Sequence, residues 1–280
     1  MRRSLLFIPS NNPAMMQNAS LFQADSIIFD LEDAVALKDK DSARILLNHF
    51  IKQEKLNCEM IVRINGLDTN DALKDLDSVV LNGVDTIMLP KADVASLRQL
   101  DSILTQYELT RHLSQPIKVI PIIELAMSLL DVRAIASSPR VDGLLLGAED
   151  FTKDIEVERS KGGLEIQFAR NQVAVTAKAY KIDAIDTPFT DTNDENGLKM
   201  DCQLALQLAM NAKACIHPNQ VSMVNVMFSP SKASIQWAKR VVEAANTATE
   251  GAFSLDGKMI DKPIIERSEK ILAKARKFDL

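Results

Sequence analysis

The chain has 280 residues, of which 46% are hydrophobic and 25% charged, and its formal net charge is -5. That length can bury one large core and suits a single α/β barrel, while the mild negative charge argues against nucleic acid or an anionic membrane surface as a partner. No apolar stretch approaches the roughly 20 residues that span a bilayer; the cysteines Cys58, Cys202 and Cys215 are odd in number and unpaired in spacing, as expected of a reducing cytoplasm without zinc or disulfides.

The opening Met1-Arg2-Arg3 carries charge, but the apolar run behind it is short and ends at Pro9, so Ser4 to Pro9 reads as a first strand. A second is predicted over Ser26 to Leu31, closing on Asp30, Glu32 and Asp33. In extended backbone Asp30 and Glu32 point to the same side, and Asp33 is placed to cap the next helix. Two readings of these acids stand together: support of metal waters or proton transfer, and ion pairing with Lys38, Lys40 or Arg44.

The third strand, Met60 to Asn65, is interrupted by Arg63, whose planar fork suits a substrate carboxylate. An internal pair with Asp30 or Glu32 is compatible with that role. Thr86 to Pro90 is followed by Lys91, a second candidate for substrate contact. Lys118 to Ile123 ends on Glu124, and Asp142 to Gly147 leads to Glu149 and Asp150. Ile182 to Ile185 precedes Asp186, and Ala214 to His217 precedes Asn219. His217 is expected to make structural hydrogen bonds; His49 and His112 fall in helical stretches.

Each run is followed by helical periodicity, the pattern of parallel strands joined by crossover helices. Eight such units predict a closed (β/α)8 TIM barrel, in which every strand's C-terminal end faces one rim. Glu124 and Asp150 are the most informative pair there, because an ionised carboxylate beside an apolar strand is costly unless paired or metal-bound. Two carboxylates with waters and substrate oxygens suit Mg²⁺; rim salt bridges are the alternative. No HExxH, paired CxxC, GxSxG or GxxxxGK[ST] pattern occurs, and Gly162-Gly163 alone defines no phosphate site.

The pattern changes after Phe228, giving a catalytic domain over 1–228 and a helical extension or lid over 229–280. A helix starts at Ser229-Pro230-Ser231 and runs to about Thr247, and a last one spans Pro263 to Lys277. Ser254 to Asp261 reads as a turn bearing two carboxylates. Gly251, Gly257 and Asp261 form either a mobile cover or a plain surface turn.

Several blocks resemble the citrate lyase β-subunit family within the HpcH/HpaI-type aldolases and malyl-thioester lyases. They include Arg3 to Pro9, Phe29 to Leu37, Val62 to Asn65, Leu89 to Lys91, Leu146 to Asp150, Ile216 to Pro218 and Gly257 to Asp261. The resemblance implies a magnesium-dependent carbon–carbon lyase acting on a citryl thioester, with Glu124 and Asp150 as metal ligands and Arg63 on the keto-acid carboxylate. Asp30 and Glu32 then support the metal waters, and Asp261, offered by a neighbouring subunit, handles the proton on the acetyl carbon. It also implies a trimer or larger assembly working with citrate lyase α and γ subunits, with the extension over 229–280 packing on a neighbouring subunit. The stretches Asp30 to Arg44 and Gly147 to Arg170 resemble the acyl-carrier-dependent members more than the CoA-dependent ones. Two departures are Ser10, where many relatives have glycine, and Leu125-Ala126 after Glu124, where Ser-Pro is common. A CoA-dependent malyl, citramalyl or citryl thioester lyase or thioesterase, and a non-catalytic scaffold subunit, are the competing readings.

Overall fold

The computed structural model describes residues 1–247 and 252–280. They form two compact units, Met1–Asn225 and Val226–Leu280. In the first, eight parallel strands close into a barrel in sequence order: β1 Ser4–Pro9, β2 Ser26–Asp30, β3 Glu59–Arg63, β4 Thr86–Leu89, β5 Lys118–Ile123, β6 Gly143–Leu146, β7 Asp183–Asp186 and β8 Ala212–Cys215. The intervening helices are α1 Pro13–Gln17, α2 Lys40–Gln53, α3 Asn70–Val79, α4 Val94–Arg111, α5 Ala126–Leu130, α6 Val132–Ala136, α7 Ala148–Asp154, α8 Gln167–Tyr180 and α9 Glu195–Gln207. The helix α10, Pro218–Met227, runs across the boundary of the two units. Among the described residues no helix is long and apolar enough to cross a membrane.

The two-residue alternation of a strand sorts the barrel interior into layers. Leu5, Ile28, Ile61, Met88, Ile120 and Ile185 belong to one buried cluster in its middle. Ser26, Ile28 and Asp30 pair in register with Glu59, Ile61 and Arg63. The same step that buries the isoleucines therefore sends Ser26 and Glu59 to the N-terminal end and Asp30 and Arg63 to the C-terminal mouth. Separating a stabilising end from a chemical end in this way is characteristic of such barrels.

Arg2 closes the N-terminal end. Its Nε and Nη2 donate to Glu59 at 2.5 and 2.6 Å, and further bonds reach Asp142 at 2.8 Å and Asp183 at 2.9 Å. Burial works against ionisation of Glu59, but the Arg2 guanidinium and the Ser26 and Thr86 hydroxyls outweigh it and hold the carboxyl down at about 2. A depressed carboxyl contributes stability above its ordinary pKa and loses it as pH falls through the folded value. Glu59 thus stabilises the fold fully above about pH 4.5, and that contribution is lost towards pH 2. Glu59→Gln is expected to remove about 3 kcal/mol at pH 7 and to flatten the acid limb, as followed by urea unfolding at stepped pH.

Between the barrel and its helices lies a sealed ionic tetrad. Arg170 Nε donates to Asp186 at 2.8 Å and its Nη2 to Asp201 at 2.6 Å, while Lys213 Nζ donates to both acids at 2.6 Å. Arg170, Asp186 and Lys213 are fully buried; burial opposes the Lys213 charge, and the two aspartates overcome it and raise its pKa. The eighth strand accordingly begins at Ala212 rather than at Ala214, where the apolar pattern alone places it. A fully buried lysine is anticipated only when its partners are known. Asp186, expected at the mouth, points outward into this tetrad instead.

The second unit packs α11, Lys232–Thr247, against α12, Lys262–Lys277, with a hairpin of β9 Phe253–Leu255 and β10 Lys258–Ile260. The expected turn is therefore a β-hairpin. Asp256 and Gly257, at φ 51° and 73°, form its two-residue tip, the Asp-Gly pairing that left-handed hairpin turns favour. Gly251, the other proposed element of a cover, lies outside the described residues.

Candidate active site

A cavity of about 400 Å³ opens at the C-terminal mouth of the barrel. Its wall carries the acids Asp30, Asp33, Glu124, Glu149 and Asp150, the cation Arg63, and apolar side chains including Phe7, Ile122 and Leu145. The structure thus brings together four of the expected site residues, Asp30, Arg63, Glu124 and Asp150, from β2, β3, the end of β5 and the first turn of α7.

Glu124 extends the inward alternation of Ile120 and Ile122 and is only 4% exposed. Its Oε1 accepts the backbone N–H of Lys91 at 2.5 Å, and its Oε2 has no hydrogen-bond partner among the described residues. A side chain at Gly147 would put its Cβ 2.7 Å from that Oε2, so the turn from β6 into α7 leaves the oxygen room that only glycine provides. Burial pushes the Glu124 carboxyl up to about 7; the Lys91 N–H lowers it, Asp150 raises it, and Arg63 lowers it again. Asp150 has no hydrogen bond or ion pair among the described residues, so its carboxylate also has oxygens to offer the cavity.

Two under-satisfied carboxylates on one wall match the hard oxygen donors that Mg²⁺ takes while keeping several waters. Among the described residues no group of three or more His, Cys, Asp or Glu is arranged around a metal position, so no all-protein cage is built, and waters and substrate must complete the coordination. Because Glu124 titrates near 7 in the free site, a metal there competes with its proton. Magnesium affinity is expected to fall about tenfold per pH unit below pH 7 and to level off above it, a slope that titration calorimetry at stepped pH measures.

Asp30 and Arg63 form a closely matched pair. Arg63 Nε and Nη2 donate to Asp30 Oδ1 and Oδ2 at 2.8 and 2.6 Å, and the same carboxylate accepts the N–H groups of Glu32 and Ala34 at 2.8 and 3.0 Å. Asp30, 1% exposed, thus accepts four hydrogen bonds. Glu32 differs. Its Oε2 sits 3.0 Å from Arg63 Nη1 as an ion pair but outside hydrogen-bonding geometry, which leaves it a buried oxygen without a hydrogen bond. Burial pushes its carboxyl up to about 8 despite Arg63, with Asp33, Glu124 and Asp30 adding to the rise. The one guanidinium is shared among three acids, and its pull on Glu32 does not offset burial.

Asp33, Lys40 and Lys91 depart from their expected roles. Asp33 caps no helix; it is exposed and lies 3.5 Å from Arg63. Lys40 does not pair with these acids but donates to the carbonyls of Leu31 and Glu32 and to Asn65 Oδ1. Lys91 presents its backbone N–H, held at φ 46°, while its side chain is exposed and absent from the cavity lining. Asp261 belongs to the second unit, where it caps α12 by accepting the N–H of Ile264 at 3.3 Å. His217 accepts the N–H of Asn219 through Nδ1 at 3.3 Å.

Residues outside the sequence reading also line the cavity. Phe7 lies beneath the Arg63 guanidinium, whose carbon is 5.0 Å from the ring centroid, a cation–π arrangement that adds a second constraint on the arginine. Thr187 accepts the N–H of Ala148 through Oγ1 at 3.3 Å. Both follow the alternation of their strands two residues beyond the core positions Leu5 and Ile185, which is the signal that would have found them.

Fold and site together define an α/β-barrel protein that gathers carboxylates and one guanidinium at its mouth, an arrangement made for an oxygen-rich anionic ligand with a divalent ion. Residues 3–218 match the model of the HpcH/HpaI aldolase/citrate lyase family, and the chain belongs to that family. It is 39% identical to the citrate lyase subunit beta of Haemophilus influenzae over 99% of this chain and 97% of that one. Among solved structures, it is similar to the protein CitE of Mycobacterium tuberculosis in complex with magnesium, acetoacetate and coenzyme A. That match has TM-score 0.80 and 28% identity, over 98% of each chain. A citrate lyase beta subunit of M. tuberculosis complexed with oxaloacetate and magnesium is similar at TM-score 0.70 and 28% identity, over 82% of this chain and 97% of that one.

Proposed function

We propose that the chain is a magnesium-dependent lyase that cleaves a citryl thioester, carried on an acyl carrier protein, into oxaloacetate and an acetyl thioester. The observation that carries this reading is the pair of under-satisfied carboxylates, Glu124 and Asp150, on the wall that also presents Arg63. Glu124 and Asp150 would hold Mg²⁺, which when bound supplies Lewis-acid stabilisation of negative charge on substrate oxygens. Arg63, locked by Asp30 and by the Phe7 ring, holds the carboxylate next to the breaking bond. Asp30 orients that arginine.

Glu32 is the better acceptor for the substrate's hydroxyl proton, reached through a water, because its buried Oε2 has no hydrogen bond and burial pushes its carboxyl up to about 8, which makes its carboxylate a strong base. As that proton leaves, the hydroxyl-bearing carbon becomes the ketone of oxaloacetate, and the electron pair of the carbon–carbon bond passes to the acetyl thioester as its enolate. Asp261, offered by the second unit of a neighbouring copy, gives a proton to the α-carbon of that enolate. In this reading the barrel is the catalytic domain and the C-terminal unit its lid. The assembly is a trimer or larger, with transferase α and carrier γ partners, in the cytoplasm.

A second reading is favoured by the coenzyme A held in the similar M. tuberculosis protein: the same cleavage on a CoA thioester. Supplying citryl-carrier, citryl-CoA and citramalyl-CoA side by side, with magnesium, separates the two. Keto-acid release, as oxaloacetate from the two citryl thioesters and pyruvate from citramalyl-CoA, is expected to be fastest from citryl-carrier; preference for either CoA thioester overturns the carrier assignment, and no keto acid from any of the three overturns the lyase reading.

A further inference from the structure

The cavity wall is short of cations. Arg63 is the one basic side chain among the lining residues, and it is already shared by Asp30, Glu32 and Asp33 at 2.6, 3.0 and 3.5 Å. A citryl thioester carries two free carboxylates, whereas malyl and citramalyl thioesters carry one. Arg63 can grip the carboxylate beside the breaking bond, which leaves the distal one without a partner on the wall.

Arg159 stands just behind that wall, between α7 and α8. One edge of its guanidinium is fixed: Nη1 donates to Glu165 Oε1 at 2.6 Å and to the carbonyl of Ser160. Glu165 is itself held by the N–H and hydroxyl of Ser160 at 2.9 and 2.7 Å. The other edge is unsatisfied. Its Nε is buried without a hydrogen-bond partner and lies 3.6 Å from Glu149 Oε1, beyond hydrogen-bonding reach. Glu149 lines the cavity, yet its side chain is 59% exposed and free to swing into solvent. A buried guanidinium N–H without an acceptor is destabilising, and a carboxylate that displaces Glu149 relieves it. The other nearby cations are less suited: the Lys91 side chain is exposed, and Arg170, although its Nη1 is likewise buried without a hydrogen-bond partner, is fully buried with Lys213 in the tetrad and is absent from the cavity lining.

Taking the citryl reading above as its basis, we infer that Arg159 is the specificity residue that receives the substrate's distal carboxylate, with Glu149, 3.6 Å from its Nε, as the acid that this carboxylate displaces. The keto-acid products test this without turnover, because oxaloacetate keeps the distal carboxylate and pyruvate lacks it. Titration calorimetry with magnesium present should show wild type binding oxaloacetate more tightly than pyruvate. Arg159→Gln should weaken oxaloacetate roughly 30-fold and leave pyruvate within about twofold. Glu149→Gln should tighten oxaloacetate and leave pyruvate unchanged. Parallel losses for both keto acids in Arg159→Gln, unchanged oxaloacetate binding, or no wild-type preference between the two overturns the assignment. A failure of the lyase reading would appear separately, as absent thioester cleavage by a protein that still distinguishes the two ligands.

Discussion

Replacing Glu124 by glutamine is expected to lower magnesium-dependent cleavage about a thousandfold or more, and Asp150→Asn to do the same. Each change is nearly isosteric, yet each removes one of the two carboxylates proposed to hold the ion, and waters cannot supply the lost charge. In the Glu124 variant the Lys91 N–H keeps an acceptor oxygen, so the N-terminal part of the loop after β4 stays in place and the loss reports on the ion. The readout is oxaloacetate release at saturating thioester over a range of magnesium concentrations. Both variants should need far more metal and still fall short, while circular dichroism and thermal unfolding stay close to wild type. Full turnover in either variant at ordinary magnesium would remove that residue from the metal site.

Arg63→Ala is the second large effect, about a hundredfold to a thousandfold in kcat/KM. Two losses combine here. The substrate carboxylate loses its fork, and Asp30 and Glu32 lose the positive charge between them, so Glu32 moves further toward its protonated form. Arg63→Lys is expected to recover little, because an ammonium cannot make the paired bonds to Asp30 at 2.8 and 2.6 Å or lie flat over Phe7. The change should appear as a higher KM with part of the loss in kcat, since an untethered carboxylate also misaligns the breaking bond. Steady-state kinetics on the alanine and lysine variants measure both parts.

The barrel was legible because its strands are short apolar runs whose C-terminal ends carry charge, and because β2 and β3 place Asp30 and Arg63 one alternation above the isoleucine layer. Glu124 was legible for the same reason. The tetrad around Lys213 was not, since four charges from two strands and two helices meet only in three dimensions and each alone reads as a surface residue. Asp33 went to Arg63 rather than to a helix cap because α2 begins at Lys40, after a single 3₁₀ turn over Leu37–Asp39. The difference between Asp30 and Glu32 was likewise out of reach. Both sit in one acidic pentapeptide, and only the count of donors around each carboxylate separates the saturated aspartate from the unsatisfied glutamate. The pairing of a buried Arg159 Nε with an exposed Glu149 exists only in three dimensions and has no sequence signal.

Crystals grown with manganese in place of magnesium, with data collected at the manganese absorption edge, offer the most direct view of where the ion sits. A single strong anomalous peak within bonding distance of both the Glu124 and Asp150 carboxylates, on the cavity side facing Arg63, is the predicted result. A peak bound by other residues, or an empty cavity in crystals of a protein whose cleavage still requires the metal, would contradict it.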